Sequence, residues 1–238
     1  MNNFGKFWLP LTVAAVGMGA MPSAANAFGL SYIDNDDDFN ALTPQLSFVA
    51  EGRIGNNAGN GTHELNFHGI NLNNPTATSD EKNFTWSNSV ATSFRLTYDA
   101  ATRNVTYLVG GLLLQATANQ NPVRDIFIRT RATIANSSIT IANLLLNGVS
   151  INRSLSVSGG GSWESGMEYL RLSGIQGSFT LEGTSTMAWG NTRPTNSNLA
   201  YQIKVGTAVP EPTTMLGFAL GASGLAMIRK RRHKQPME

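Results

Sequence analysis

Between Ser93 and Gly111 the chain reads SFRLTYDAATRNVTYLVGG, and its apolar residues fall at every second position. Phe94, Leu96 and Tyr98 alternate with polar neighbours, Asp99–Asn104 supplies turn-forming residues, and Val105, Tyr107 and Val109 alternate back. A period of two marks a half-buried strand, so this stretch reads as a β-hairpin closed by the glycine pair Gly110-Gly111. The same alternation recurs in HELNFHGINL, DIFIRTRATI, SSITIANLLLNGVSI, EYLRLSGIQGSFTLEGTSTMAW and LAYQIKV. No long segment with a 3.6-residue period separates them. With about nine to eleven short strands and turn signals roughly every 8 to 12 residues, the expected fold is all-β, a single jelly-roll-like antiparallel β-sandwich.

Such a body must be held by its core alone, because the 238 residues include no cysteine. Gly159-Gly160-Gly161-Ser162 is its one pronounced flexible stretch. The strands that follow are too few for an independent core, so it is expected to be a long loop inside one domain. The expected organisation is a signal peptide over 1–27, the sandwich over 28–205, and a tether over 206–209. A C-terminal sorting signal over 210–232, with a transmembrane helix at 213–228, and a cytoplasmic end at 233–238 complete it.

Charge is unevenly distributed. Between Phe28 and Thr207 there are 11 Lys+Arg against 13 Asp+Glu, a net of −2, so the basic character of the whole chain comes from its C-terminal tail. Sparse, balanced charge gives the body no electrostatic footprint for nucleic acid.

The first residues, MNNFGKFWLPLTVAAVGMGAMPSAANAFG, place one cation before an apolar run. They end in Ala25-Asn26-Ala27, the small-x-small form that signal peptidase reads, with cleavage expected before Phe28.

At the other end the chain reads VPEPTTMLGFALGASGLAMIRKRRHKQPME. Pro210 and Pro212 fix their own φ and push their predecessors out of the α region, so Val209–Pro212 is expected to be extended with Glu211 displayed. Thr213–Ile228 carries no charge. As a helix its 16 residues would span roughly 24 Å against a hydrocarbon core of ~30 Å, a short membrane crossing. Gly217, Gly221 and Gly224 give it a small-residue face suited to close helix packing. Arg229, Lys230, Arg231 and Arg232 then hold the C-terminus in the cytoplasm.

This layout resembles the PEP-CTERM sorting signal of Gram-negative and cyanobacterial surface proteins, on the strength of Val209-Pro210-Glu211-Pro212, the Gly/Ala-rich segment and the basic cluster. The resemblance implies recognition by an exosortase, a membrane-embedded enzyme that removes the tail near Pro-Glu-Pro. In that reading the tail is an address comparable with a removed GPI signal. The body is also similar to the choice-of-anchor modules, type W, through DDDFNALTPQLSFVAEGRIGNNAGNGTHEL, FRLTYDAATRNVTYLVGG, DIFIRTRA with SSITIANLLLNG, and SNLAYQIKVG. That resemblance implies surface location and supplies no catalytic residues.

Candidate sites in the body are few. His63 and His68 nearly make an H-E-x-x-H pair, but their spacing is i, i+5, and on a strand they should point to opposite faces. Asp34, Asp36 and Asp38 match the first ligands of an EF-hand loop, yet Phe39 and Gln45 stand where Gly and Glu are required. They are read as a solvated acidic start, with Ca²⁺ the one cofactor candidate. Glu164 and Glu168 are paired acids of the kind a glycosidase uses. No nucleophile motif accompanies them, and the body is expected not to be an enzyme. Trp86, Trp163 and Trp189 are read as core residues, the alternative being a sugar-stacking platform.

The expected role is that of an exported surface or matrix protein with a structural or interaction body. The alternative is a lectin-like module that binds matrix exopolysaccharide. The N-terminal reading is tested by the mass of the mature protein. Its first residue should be Phe28, and a bulky residue at Ala27 should leave a longer, membrane-held precursor.

Overall fold

A computed structural model describes residues 28–55, 63–68, 79–160 and 166–208. In chain order these form β1 (Gly29–Ile33), α1 (Asp36–Ala41), β2 (Gln45–Arg53), β3 (Leu65–His68), β4 (Ser79–Lys82), β5 (Ala91–Tyr98), β6 (Asn104–Val109) and β7 (Leu112–Thr117). Then follow β8 (Asp125–Ala132), β9 (Ser137–Leu146), β10 (Val149–Ser150), β11 (Leu155–Ser158), β12 (Met167–Ser173), β13 (Phe179–Trp189) and β14 (Leu199–Thr207). The strands build two antiparallel sheets packed as a sandwich. The first has the order β1-β12-β8-β14-β2-β3-β4 and the second β10-β9-β13-β5-β6-β7, with β11 also paired to β9.

The order has a simple logic. β2 pairs with β14, β5 with β13, β8 with β12, and β9 with β11, all antiparallel. These nested pairs are one long hairpin, its tip between β9 and β11, wrapped so that successive pairs fall in alternate sheets. That wrapping is the jelly roll the alternation led us to expect. The fourteen described strands exceed the expected nine to eleven because additions decorate the eight-stranded core. β3 and β4 widen the first sheet, β6 and β7 widen the second, and β1 and β10 are short edge pieces. The glycine pair expected to close the β5–β6 hairpin instead turns the chain into β7, with Gly110 at φ 53° and Gly111 at φ 91°.

Each strand sends one face into a shared core. Along β13, Phe179, Leu181 and Met187 are buried and alternate with partly exposed neighbours. β9 shows why its sequence departs from strict alternation. Opposite Gly183 the register shifts between Glu182 and Thr184, and Asn143 takes a positive φ of 54°. The extra residue lets Ile139 and Ile141 before the bulge, and Leu144 and Leu146 after it, all face inward.

At the centre, Tyr107 of β6 donates to the hydroxyl of Tyr201 of β14 at 2.6 Å, both buried. Burial pushes the Tyr201 hydroxyl up to about 12. Trp86 and Phe94 pack on Tyr201 at 6.2 and 5.6 Å between ring centroids.

Two sheet edges are tied together by side chains. Lys82 of β4 donates to the Leu113 carbonyl at 2.6 Å, and the Gln115 N–H of β7 donates to Asp80 at 2.9 Å. These contacts occupy main-chain groups that would otherwise invite another strand.

The strands bear on two expected boundaries. β11 and β12, which flank the glycine-rich stretch, both contribute to one core through Leu155, Val157, Leu170 and Leu172. The sandwich does not stop at 205, however. β14 runs through Thr207, and the Ala208 N–H is bonded to Asp125 at 2.8 Å. The expected tether at 206–209 is therefore strand for its first half.

The tyrosine pair gives a direct test of the core. Tyr201→Phe strands the Tyr107 donor in a dry interior and should cost about 1–3 kcal/mol. Urea and thermal melts should show the loss, ~2–4 °C per kcal/mol for a body of this size. Replacing both tyrosines with Phe should recover most of it, since neither hydroxyl of the pair is then left without the other.

Candidate functional site

The outer face of the first sheet carries the body's densest set of ionisable groups, because strand alternation that points Ile126, Ile128, Ile203 and Val205 inward points their neighbours outward. Register places Tyr169, Arg129, Gln202, Glu51, Asn66 and Glu81 side by side across β12, β8, β14, β2, β3 and β4. Gln202 donates to Glu51 at 2.7 Å and Asn66 to Glu81 at 2.6 Å.

Helix α1 covers one end of this row. Asn35 caps it by accepting from the Asp38 N–H at 2.8 Å, and Asp36, Asp37 and Asp38 occupy its first turn, where the helix dipole favours them. The acidic run is thus a helix start. Asp36 turns toward the sheet and takes two hydrogen bonds from Arg129, at 2.9 and 2.7 Å, while the Tyr169 hydroxyl also donates to it. Lys204 donates to the Tyr169 hydroxyl at 3.1 Å and lies 4.2 Å from the centre of the Phe39 ring. Phe39, the buried residue of α1, stacks on Tyr169 at 4.9 Å and meets Phe127 edge-on at 5.1 Å. Ile33, Leu42, Leu46 and Ala208 complete this small second core.

Burial sets the charges here. It pushes the Lys204 ammonium down to about 8, and Arg129 nearby adds to the shift. Burial also works against the Asp36 carboxylate, but hydrogen bonds from Arg129 and Tyr169, with the Arg129 and Lys204 charges, outweigh it and lower its pKa. Tyr169 is raised by burial and by its bond to Asp36. The cluster therefore holds a carboxylate, a guanidinium and an ammonium charged at neutral pH, locking α1 onto the sheet.

Beside it lies a second buried carboxylate. Asp125 accepts from Arg171 at 2.9 Å through one oxygen and from the Ala208 backbone through the other. Gly206 accepts from the Arg124 N–H at 2.7 Å, and the Thr207 hydroxyl donates to the Pro122 carbonyl at 2.8 Å. A β-bulge between Val205 and Gly206 brings β14 hard against β2. A Cβ on Gly206 would lie 2.2 Å from the Gln45 carbonyl oxygen, so only glycine fits. The end of the last strand is held from both sides.

Residues 208–232 match the PEP-CTERM protein-sorting motif. No curated protein matches the chain. The PEP-CTERM motif begins at Ala208, the residue that Asp125 holds and the last of the described residues. Val209, Pro210, Glu211 and Pro212, the expected membrane helix at 213–228 and the cations Arg229–Arg232 lie outside the described residues, as do Ala25 and Ala27. Among the described residues no helix is long and apolar enough to cross a membrane.

The structure disperses the other candidates. His63 and His68 do not point to opposite faces. His63 precedes β3, escapes its alternation and lies 3.5 Å from Glu81, while His68 lies 3.6 Å from Glu51 on the same outer face. Glu64 between them is fully buried against Arg193 at 3.0 Å. Asp34, Asp36 and Asp38 do not converge, since Asp36 is engaged by Arg129. Among the described residues no three His, Asp or Glu side chains gather in a way that would hold a metal ion. Glu168 accepts from the Ser156 N–H at 2.9 Å, and Glu164 lies outside the described residues. Trp86 is buried and donates to the Arg53 carbonyl at 2.9 Å, and Trp189 packs against the core. These two form no exposed platform, and Trp163 lies outside the described residues.

Asp125, Arg129, Tyr169, Arg171 and Lys204 were not singled out from the sequence. Their only signal there is a charged or aromatic residue at outward positions of otherwise apolar strands.

The lysine makes a testable pH signature. Its folded pKa of about 8 lies below the unfolded value of ~10.4. The unfolded chain therefore binds more protons between these limits, and stability should rise as pH increases from about 8 to 10. Melting temperatures across that window should show the rise in the wild-type body and its absence in Lys204→Met. Above pH ~10 the raised tyrosines should reverse the trend, since there the folded state holds the extra protons.

Proposed function

We propose that this is an exported cell-surface or extracellular-matrix protein whose jelly-roll body is delivered by N-terminal signal cleavage and released or attached through its C-terminal sorting segment. The observation that carries the reading is the PEP-CTERM motif at residues 208–232, joined directly to a folded β-sandwich. Signal peptidase removes residues 1–27. The body then stands on the outer side of the inner membrane, held by the 213–228 segment and its basic stop. An exosortase-type enzyme acts on Val209–Pro212, and the mature protein joins the cell surface or the exopolysaccharide matrix.

Within this reading the body is a structural or interaction module and not a catalyst. Its buried carboxylates are engaged by arginines and hydrogen bonds that hold the fold together. The choice-of-anchor resemblance of its strands agrees with a surface role.

Glu211 separates sorting from folding. Glu211→Ala removes the one charge between Lys204 and Arg229 and should change body stability by no more than roughly 0.5 kcal/mol. In the native host the variant should accumulate as a membrane-bound form that retains residues 229–232, detected by fractionation and intact mass. A variant trimmed like wild type would leave the tail as a simple anchor.

A further inference from the structure

We infer that the terminus of β14 is a latch whose opening limits processing of the sorting segment, with Asp125 and Gly206 as its positioning residues. The inference rests on the sorting function proposed above.

The main chain next to the motif is already in use. β14 is paired with Gln45 and Leu46 of β2 through Gly206 and Thr207, and with Asp125 of β8 through Gly206. The Ala208 N–H is committed to the buried Asp125 carboxylate, which Arg171 holds in place. Only Val209 lies between this clamp and Pro210.

An enzyme that draws a peptide into an extended cleft does so mainly through backbone hydrogen bonds. Pro210 and Pro212 have no N–H, so Val209–Pro212 offers only the N–H groups of Val209 and Glu211. Further backbone partners on the N-terminal side must come from residues 206–208, which first have to leave the sheet. Space imposes the same demand. Four residues separate Ala208 from the start of the uncharged segment at Thr213, so the two are five residue steps apart, a reach of about 17 Å when fully extended. The folded end of the sandwich therefore sits close to whatever acts at the membrane.

Opening need only be local. The last two strand residues and Ala208 can fray while the core segment Leu199–Val205 stays paired, the kind of sub-global opening that strand ends undergo. Cleavage of a segment that must open first follows the population of the open form when opening and closing are fast. Processing of a completed, correctly paired body is thus slowed by the free energy needed to open its last strand end.

The lack of native cysteine permits a clean lock. Gln45 and Thr207 are direct cross-strand partners. In the full-length chain Gln45→Cys with Thr207→Cys should form a disulfide outside the cytoplasm and hold the strand end shut. Pulse–chase in the native host, read by intact mass, should show tail removal slowed by about tenfold or more in the oxidised double variant. Gln45→Cys alone, at an exposed position whose side chain is not part of the clamp, should be trimmed at the wild-type rate. Reductant, or a Gly/Ser linker of about ten residues inserted after Ala208 of the locked variant, should restore that rate.

Trimming of the oxidised variant at the wild-type rate would overturn the latch and leave the sorting function standing. Failure of the linker to rescue would also overturn it, since the lock would then act by damaging the fold. If wild type itself is never trimmed and matches Glu211→Ala, the sorting function fails and the latch falls with it.

Discussion

The structure depends on closing one long antiparallel hairpin on itself. β2 and β14 meet although Glu51 and Gln202, hydrogen-bonded across that pair, are 151 residues apart. Little local structure supports such a contact beforehand, and no disulfide lowers the entropy of reaching it. What holds it is the burial of alternate side chains from every strand against the opposite sheet. Phe48, Ala50, Ile203 and Val205 are wholly buried only when β14 sits between β8 and β2. The last of the described strands is thus central to its sheet, and that sheet is incomplete until residues 199–207 have been inserted.

The two faces of the first sheet are held differently. The inner face is mostly apolar, with the tyrosine pair and Thr130 as polar exceptions. The outer face is ionic, and α1 shields one end of it. Putting Arg129 and Lys204 under α1, which itself begins with Asp36, exacts a desolvation penalty, which the bidentate pair, the tyrosine bridge and the Phe39 ring offset. Such a cluster contributes little net stability when intact, yet losing a single partner leaves an uncompensated buried charge, at a cost of about 3–5 kcal/mol. It orients α1 more than it strengthens the fold. Since Phe39, Leu46 and Ala208 belong to the same small core, the helix also shapes the surface from which the sorting segment leaves.

The join between body and sorting segment is abrupt. Up to Ala208 the chain is held, by a bulge at Gly206 and by the Asp125 carboxylate, and in sequence Val209 and Pro210 follow at once. The proline-rich element is poor in donors and the strand before it is fully paired. In the latch proposed above, folding and processing compete for residues 206–208.

Much of this was legible in the sequence, and the reason is periodicity. A side-chain period of two identifies strands and their buried faces without knowledge of partners, so the all-β class and most core residues followed from the alternation around Phe94–Val109 and Phe179–Trp189. The sorting motif was readable because it is a linear order of proline, small residues and cations. Tertiary structure alone decided what depends on pairing. The alternation of DIFIRTRA shows that Asp125 and Arg129 face outward, but not that one would hold Ala208 and the other Asp36, because those partners arrive from distant strands and from α1. The strand end at Thr207 was missed for the same reason: a glycine near the end of a strand reads as a break until the close approach of Gln45 gives it a purpose. The histidines were placed on opposite faces by a strand rule that His63, one residue outside the ladder, does not obey. Local spacing determined the kind of element each segment forms, and the long-range register of the jelly roll decided which side chains meet.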